Sequence, residues 1–450
     1  MLPQPKRFAL FRSMARCEDR PDDRLVLKIA DQQDELEACF RILHDSYVAA
    51  GFMRPHPSGM RVTIYHALPT TTTLCAKWDG QVVGTISIIR EGVFGFPLQS
   101  VFELAPVRSR MGRVAEISAL AIAPAFRRTG GKLLFPLMKF MYEYCREYFD
   151  TRHILIAVNP NKIELYESLL FFERLQACAV DNYAFANGAP AVGASLDLLA
   201  APDIYRTVYG GRSAPRDLHR YFVQTRLANI QWPQRRFFTT NDPVLTPAMM
   251  DHFFNRQTQV FETMDLRKRL LLRSIYDDPA YADVLPTVPQ SGRAQLSLRQ
   301  HRRFSIRCPA QLWVHSYGTT LRYEMQVIEL SEGGFQAECA HPLPEGTQGE
   351  VHITLGAHDT ARVEAVAVRR RPGVGVVYYG FAIQRADATW HQCVDALRSG
   401  CIHSDLAPSL ARTVAPADRP PQALPTKVGL PGPGLALQSP ELSRSAEFIA

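Results

Sequence analysis

The stretch from 114 to 158 constrains the fold more than any other. VAEISALAIA at 114–123 and HILIAV at 153–158 are apolar runs of strand length. Between them lie Gly130 and Gly131, which break the pattern, and one helical stripe of Leu134, Leu137, Met138, Met141, Cys145 and Tyr148, over about 132–149. Strand, glycine break, long helix and buried strand in that order predict a mixed α/β layer. The flanks agree. Leu36, Cys39, Phe40, Leu43 and Tyr47 predict a helix over 32–47, and a strand is expected at 61–68. LCAKW and QVVGTISII flank Asp79-Gly80, a strong hairpin signal. Asn159-Pro160 ends the second strand, a short helix carries Ile163, Tyr166 and Leu170, and strand-like runs return over 178–199. These elements make one domain over 24–210, preceded by a flexible leader at 1–23.

The rhythm then changes. Residues 211–295 begin with Arg212, Arg216, Arg220, Arg226, Arg235 and Arg236, and continue into an apolar, helix-like stretch with Phe253, Gln257, Val260, Phe261, Met264 and Leu271. A basic, partly helical connection between two domains is expected, its helical part at 240–284 serving as the bridge. From 296 to 395 the chain reads as strands alone, with Gly/Pro turns, which predicts a small barrel. Residues 403–450 are rich in Pro, Ala and Ser and are expected to be a disordered tail. The fold class is therefore α+β. At 450 residues and 46 % apolar content, two or three domains with real cores fit.

Composition also excludes. No apolar run reaches the roughly 18 residues of a membrane span. The basic start lacks the long apolar region of a signal peptide. Nine cysteines show no CxxC spacing and there is no HExxH, so reduced thiols, no metal and a cytoplasmic chain are expected. The net charge of +7 favours an acidic partner or ligand. The arginines lack regular aromatic interleaving and a reading helix, so nucleic acid is not expected.

Two motifs mark the strand-only region. Arg302 precedes Arg303-Phe-Ser-Ile-Arg307, and a later turn reads Glu329-Leu-Ser331-Glu-Gly-Gly334. A guanidinium grips a phosphate through two parallel hydrogen bonds or stacks on a flat base. Ser331 offers a hydroxyl, and glycines let backbone N–H groups approach a ligand. Solvated surface charges beside a tight turn are the plainer reading. The pattern resembles the PilZ domain, the receptor module for cyclic di-GMP, over about 298–395. That family carries RxxxR followed by (Asp/Asn)-x-Ser-x-x-Gly, and YYGFAI looks like its last core strand. The resemblance implies cyclic di-GMP as ligand, held by Arg302, Arg303, Arg307, Glu329, Ser331 and Gly334. Glu329 departs from the family pattern, and its extra methylene displaces the carboxylate expected to read a guanine edge.

In the first domain, Arg127-Arg128-Thr-Gly130-Gly-Lys132 opens a helix, where exposed N–H groups receive an anionic pyrophosphate or phosphopantetheine. This looks like the GNAT acyltransferase fold, whose turn is (Gln/Arg)-x-x-Gly-x-(Gly/Ala). Lys132 replaces the third anchor and Leu170-Phe171 the usual Gly-Phe. The resemblance implies an acyl thioester donor bound by Arg127, Arg128, Gly130, Lys132 and Asn159. Over about 25–210 the chain also resembles the long-chain N-acyl amino acid synthases, cousins of the acyl-homoserine-lactone synthases, through FRILHDSYVAAGFM and Glu116-Ile-Ser118-Ala119-Leu-Ala-Ile122. Ala119 stands where their pattern has arginine. Those enzymes transfer a fatty acyl group, usually from acyl carrier protein, to an amine.

The chemistry assigns roles. An α-amine with a pKa of about 8 needs no strong base, and Glu116 can take its proton directly or through water. Strand alternation puts Glu116, Ser118 and Leu120 on one face. Tyr166 can protonate the leaving thiolate, and Asn159 can hold the pantetheine amide. Each has a bland alternative: a structural carboxylate, an aromatic packing residue, an Asx turn. Phe52, Met53, Phe94, Phe96 and Phe102 are available for an acyl channel or for the core. The arginines at 212–236 can steer an acidic acyl carrier protein or be solvated charges. Three readings follow: a long-chain N-acyltransferase with a cyclic di-GMP-sensing barrel and no tightly bound cofactor; an inactive cyclic di-GMP-binding adaptor; a short-chain acetyl-CoA-dependent acetyltransferase.

Overall fold

The computed structural model describes residues 3–289 and 302–400, apart from 128, 130, 243, 277, 317, 318, 345 and 374. The tail at 403–450, Arg128 and Gly130 lie outside the described residues.

The first domain has helices α1 (Gln4–Met14), α2 (Gln33–Ala49), α3 (Ala105–Arg108), α4 (Leu134–Glu147), α5 (Ile163–Leu170) and α6 (Ala201–Tyr209). Its strands are β1 (Leu25–Ile29), β2 (Thr71–Trp78), β3 (Gln81–Arg90), β4 (Arg113–Ile122), β5 (Thr151–Val158), β6 (Glu173–Arg174), β7 (Val180–Tyr183) and β8 (Ala189–Asp197). They form one sheet in the order β1-β2-β3-β4-β5-β8-β6, with β7 paired to β8. β4 and β5 run parallel, which requires a crossover, and α4 supplies it. The β2–β3 hairpin turns at Asp79 and Gly80, both with positive φ (49° and 81°), the geometry that Asp-Gly favours.

Strand alternation sorts the sheet into two faces. Leu74 and Ala76 of β2 pack with α4 and α5, while Cys75 packs with α2. On β4 this parity reverses midway. Ala115 and Ile117 face α4, but so do Leu120 and Ile122, with Ala119 and Ala121 on the α2 face. The cause is a bulge. Thr85 pairs with Ala121 and Ser87 with Ser118, one extra residue on β4, and Ala119 takes φ 57°. Leu120 therefore does not share a face with Glu116 and Ser118, contrary to simple alternation.

Three further expectations are corrected. The leader carries α1, docked on α5 by Arg12 Nε donating to the Ser168 carbonyl at 2.9 Å and by the Arg7–Glu164 ion pair. Residues 61–68 form no strand. A short 3-10 helix, Ile64–Ala67, stands there, capped where Thr63 N–H donates to His66 Nδ1 at 3.1 Å. The helical stretch at 240–284 is broken into α7 (Pro247–Asp251), a π-turn over His252–Gln257, and α8 (Leu266–Ile275). Phe253, Phe254, Phe261, Met264 and Leu272 are buried with Phe40, Leu43 and Tyr47 of α2. This stretch roofs the α2 face of the first domain.

The second domain is a closed barrel of β9 (Phe304–Ser316), β10 (Thr319–Ser331), β11 (Gly334–Cys339), β12 (Gln348–Thr354), β13 (Thr360–Pro372) and β14 (Val377–Ala386), in the order β10-β11-β14-β13-β12-β9. Helix α9 (Ala388–Ser399) follows, N-capped by Asp387 Oδ1, which accepts from Trp390 N at 3.0 Å. Trp390 is fully buried with Phe335 and Phe381 in the barrel core.

The tie between the domains is a short irregular segment, residues 236–242, ahead of the helical roof. Phe237 is buried in the barrel core. Phe238 N–H donates to Leu355 O at 2.7 Å and Thr240 N–H to Ser305 O at 3.2 Å. Arg236 pairs with Asp359 at 2.8 Å. Gly356 is a position of close approach, since a Cβ there would lie 1.9 Å from the Arg236 carbonyl oxygen. At the other end Asp242 returns to the first domain, where it accepts from Thr72 and from the Tyr144 hydroxyl and pairs with Arg235.

Candidate functional site

The parallel pairing of β4 and β5 ends at Glu116↔Leu155, although β4 runs on to Ile122 and β5 to Val158. The two strands part at Glu116. A cavity opens there, lined by Glu116, Ser118, Asn159, Tyr47, Tyr183 and Phe185 among others. Glu116 is 2 % exposed and accepts a hydrogen bond from Leu98 N at 3.1 Å. Burial drives its carboxyl up to about 8, against the opposing pull of that one N–H. A carboxyl so poised exchanges a proton near neutral pH.

Asn159 also borders this cavity, while its Oδ1 accepts from Asn161 N at 2.9 Å in an Asx turn. Tyr166 does not reach it. Its ring packs edge-on against Phe172, and it lines a separate apolar gap with Ile117, Leu120, Met138, Met141 and Ile156. Burial raises its hydroxyl well above the usual phenol range. Val158 lines both spaces, so the gap begins where the strands separate. Of the aromatic side chains proposed for an acyl channel, Phe52 borders the Glu116 cavity. Met53 and Phe94 pack in the α2-side core, and Phe96 and Phe102 in a smaller cluster with Leu155.

The basic turn before α4 is tied to its surroundings. Arg127 donates to Ile122 O at 2.9 Å and to Ser46 Oγ at 2.8 Å, and Lys132 is exposed. Gly131 takes φ 87°, and a Cβ there would meet the Phe135 ring at 2.5 Å. Of the six arginines at 212–236, Arg220, Arg226, Arg235 and Arg236 form ion pairs within the chain.

One lining residue, Tyr183, and one residue packed on the lining rings, Arg61, escaped the sequence reading. Tyr183 is 3 % exposed, lines the Glu116 cavity, and its hydroxyl has no hydrogen-bond partner among the described residues. Arg61 lies between two lining rings, its guanidinium 4.1 Å from the Tyr47 centroid and 4.9 Å from that of Phe185. Its Nη2 donates to Phe185 O at 2.7 Å, and among the described residues it forms no ion pair. Neither residue sits in a motif. Only the fold brings them to Glu116.

On the barrel, Arg303 Nη1 lies 2.6 Å from Glu329 Oε1. Arg307 pairs with Asp150, at the head of β5 in the first domain. A bulge sets this up: Val327 faces Cys308 and Glu329 faces Ser305, so Ile306 and Arg307 share one opposing position. The guanidinium of Arg302 lies over the Phe304 ring at 4.8 Å. Ser331 Oγ donates to Gly334 O at 3.1 Å across the hairpin end. Gly334 has a packing reason to be glycine, since a Cβ would sit 2.4 Å from Phe381 O on β14. Both RxxxR arginines are thus held by carboxylates.

The described residues include no group of three or more His, Cys, Asp or Glu that could hold a metal ion. No described helix is long and apolar enough to cross a membrane.

Comparison with known proteins places both halves. The family model for N-acyl amino acid synthase FeeM matches residues 38–197, and the PilZ domain model matches 297–397. Among solved structures, FeeM, an N-acyl amino acid synthase from uncultured soil microbes, is 25 % identical, with TM-score 0.36, covering 40 % of this chain and 93 % of its own. The CoA-dependent acyl-homoserine lactone synthase BjaI, with SAM and isopentyl-CoA, is 18 % identical, with TM-score 0.34, covering 46 % and 92 %. The acyl-homoserine lactone synthase LasI is 15 % identical, with TM-score 0.32, covering 42 % and 97 %. No curated protein matches the chain. The first domain is an acyltransferase domain of the N-acyl amino acid synthase FeeM family, and the barrel joined to it is a PilZ domain.

Proposed function

We propose that the chain moves a long acyl group from an acyl thioester to the amine of an amino acid, and that its barrel senses cyclic di-GMP. The observation that carries the first half is Glu116, buried at the point where β4 and β5 part and held to about 8. The amine attacks the thioester carbonyl carbon. The C–N bond forms, the C–S bond breaks, and the amine proton passes to the Glu116 carboxylate, directly or through water. Tyr183 keeps its proton, because burial and then the Glu116 charge raise its phenol well above the usual range. Its unpartnered hydroxyl can donate to the departing sulfur, the role first given to Tyr166.

The acyl chain would enter the apolar gap beyond Val158. That gap is about 30 Å³, room for about one water. Met138 and Met141 line it, and unbranched methionines repack readily around a chain. Arg61 supports an amino acid acceptor, since a guanidinium between two rings is placed to grip an α-carboxylate. The donor, carried on CoA or on acyl carrier protein, would reach Arg127, Lys132 and the turn before α4. The FeeM family match supports this reading.

The test is mass spectrometry of lipid extracts from bacteria expressing the full chain, against an empty vector and against Glu116→Gln. New N-acyl amino acids present only with the unaltered chain support it. Their absence despite soluble protein, together with no acyl transfer by the purified chain from long-chain acyl-CoA or acyl carrier protein to any amino acid, overturns it.

A further inference from the structure

We propose that a cavity between the two domains binds a phosphoryl group, and that the first domain and the tie supply half of the cyclic di-GMP site. The inference rests on the nucleotide reading of the barrel and extends it. The cavity measures about 310 Å³, within the range of small-ligand sites. Its walls include Thr70, Arg90 and Arg113 from the first domain, Thr240 and Asn241 from the tie, and Ser305 from the barrel. Ser305 lies inside the RxxxR motif, between Arg303 and Arg307. Phe149 and Thr151, which flank the Arg307 partner Asp150, line the same space.

Arg90 stands at the wall of this cavity. It is 7 % exposed, and its guanidinium lies 3.8 Å from the Phe149 ring centroid. Its two ends donate to Asn241 Oδ1 at 3.1 Å and Pro69 O at 3.3 Å, while Nε has no partner. Among the described residues the Thr70, Thr151 and Thr240 hydroxyls are buried without partners as well. Buried polar groups in proteins are almost always hydrogen-bonded, so four unpartnered groups around one cavity point to an occupant. Charge says which kind. Among the described residues neither Arg90 nor Arg113 forms an ion pair, whereas Arg108 is matched by Glu91 at 2.6 Å. Two guanidinium groups outside any ion pair among the described residues, Arg90 and Arg113 (the latter in the field of Glu338 and Glu329), and hydroxyls on different walls suit an anion with several acceptor oxygens, and a phosphoryl group has that chemistry.

The occupant is the phosphate of the cyclic dinucleotide or free phosphate, and titration of the full chain separates them. Calorimetry with cyclic di-GMP is run on the wild type, Arg113→Gln, Thr240→Val and Arg307→Ala, and thermal melts are run with inorganic phosphate. Thr240→Val is included because Arg90 is buried and hydrogen-bonded across the cavity, so its removal endangers the fold. The expected result is about a tenfold loss of cyclic di-GMP affinity in Arg113→Gln and a smaller loss in Thr240→Val. Wild-type affinity in both, with loss only in Arg307→Ala, places the ligand on the barrel alone and overturns the inference. If the wild type binds no cyclic di-GMP, the barrel reading fails separately. The cavity then stands as a free-phosphate site only if phosphate raises the wild-type melting temperature more than that of Arg113→Gln. Equal shifts overturn it.

Discussion

Arg303 Nη1 stands 2.6 Å from Glu329 Oε1, so the first arginine of the barrel motif is held by the residue at which that motif departs from its family. A phosphate that takes Arg303 must displace this carboxylate. Glu329→Asp shortens the reach by one methylene and frees the guanidinium. It should tighten cyclic di-GMP binding by about threefold or more, while Arg303→Ala weakens it by tenfold or more. The ion pair is partly exposed, so melting temperatures should barely move. Isothermal titration of both variants decides this, and unchanged affinity in both would remove Arg303 from the site.

Glu116 should write its ionisation into the pH profile. With acceptor and donor saturating, kcat should climb from pH 6.5 and level off above a midpoint near 8. Glu116→Gln should lower kcat by roughly 10²- to 10⁴-fold and abolish that limb. The same proton acts on stability. The folded chain keeps it to about pH 8, whereas an exposed glutamate loses it near the ordinary 4.5. The native state therefore binds more protons between those values, and stability falls as pH rises across that window. Glu116→Gln should flatten the slope of denaturant midpoint against pH.

Arg61 should separate acceptors by their carboxylate. Arg61→Gln is expected to raise KM for an amino acid by tenfold or more, as loss of a charge-assisted hydrogen bond of about 1.5–3 kcal/mol implies, with little change in kcat. The corresponding decarboxylated amine should show no such difference. Steady-state kinetics with the matched pair of acceptors reads this directly, and an equal effect on both would leave Arg61 a packing residue.

Met138 borders the apolar gap beyond Val158. A bulky Met138→Trp should shift the preferred acyl chain shorter. Each methylene that no longer fits is worth about 1–3 kcal/mol of discrimination. A series of acyl thioesters of increasing length, compared by kcat/KM, would show the cutoff move. An unmoved cutoff would put the chain elsewhere.

Phe237 belongs to the tie yet is buried in the barrel core. Phe237→Ala should cost about 3–5 kcal/mol, the usual range for a buried phenylalanine. The loss should appear in the barrel transition of a denaturant titration, and a change confined to the first domain would contradict the packing.

Much of this was legible because local chemistry and tertiary structure agree. Asp79-Gly80 turns where that pair turns best, and the glycine break before α4 sits beside a positive-φ Gly131. RxxxR and the Ser331 hairpin are contiguous patterns on neighbouring strands. The rest depends on non-local packing. Ala119 takes a left-handed conformation that alanine alone does not announce, and that one bulged residue reverses the faces of β4. RVTIYHAL alternates like a strand, but His66 caps a 3-10 turn in its place. Tyr183 reaches the Glu116 cavity, and Arg61 the rings of its wall, only because α2 and β8 bring their surroundings together. Asp150 and Arg113 carry no signal toward the barrel at all, since the barrel follows them by roughly 150 and 190 residues of chain.

The placement of Phe237 bears on how such a protein can be taken apart. A barrel expressed from residue 302 onward would lack a core side chain, and a first domain ending near residue 289 would present that phenylalanine to water. The two matched families meet in a molecule whose halves are not interchangeable cassettes. Exchanging one barrel for another would require carrying residues 236–241 along with it, and a graft that ignores them should yield insoluble fragments rather than two working modules.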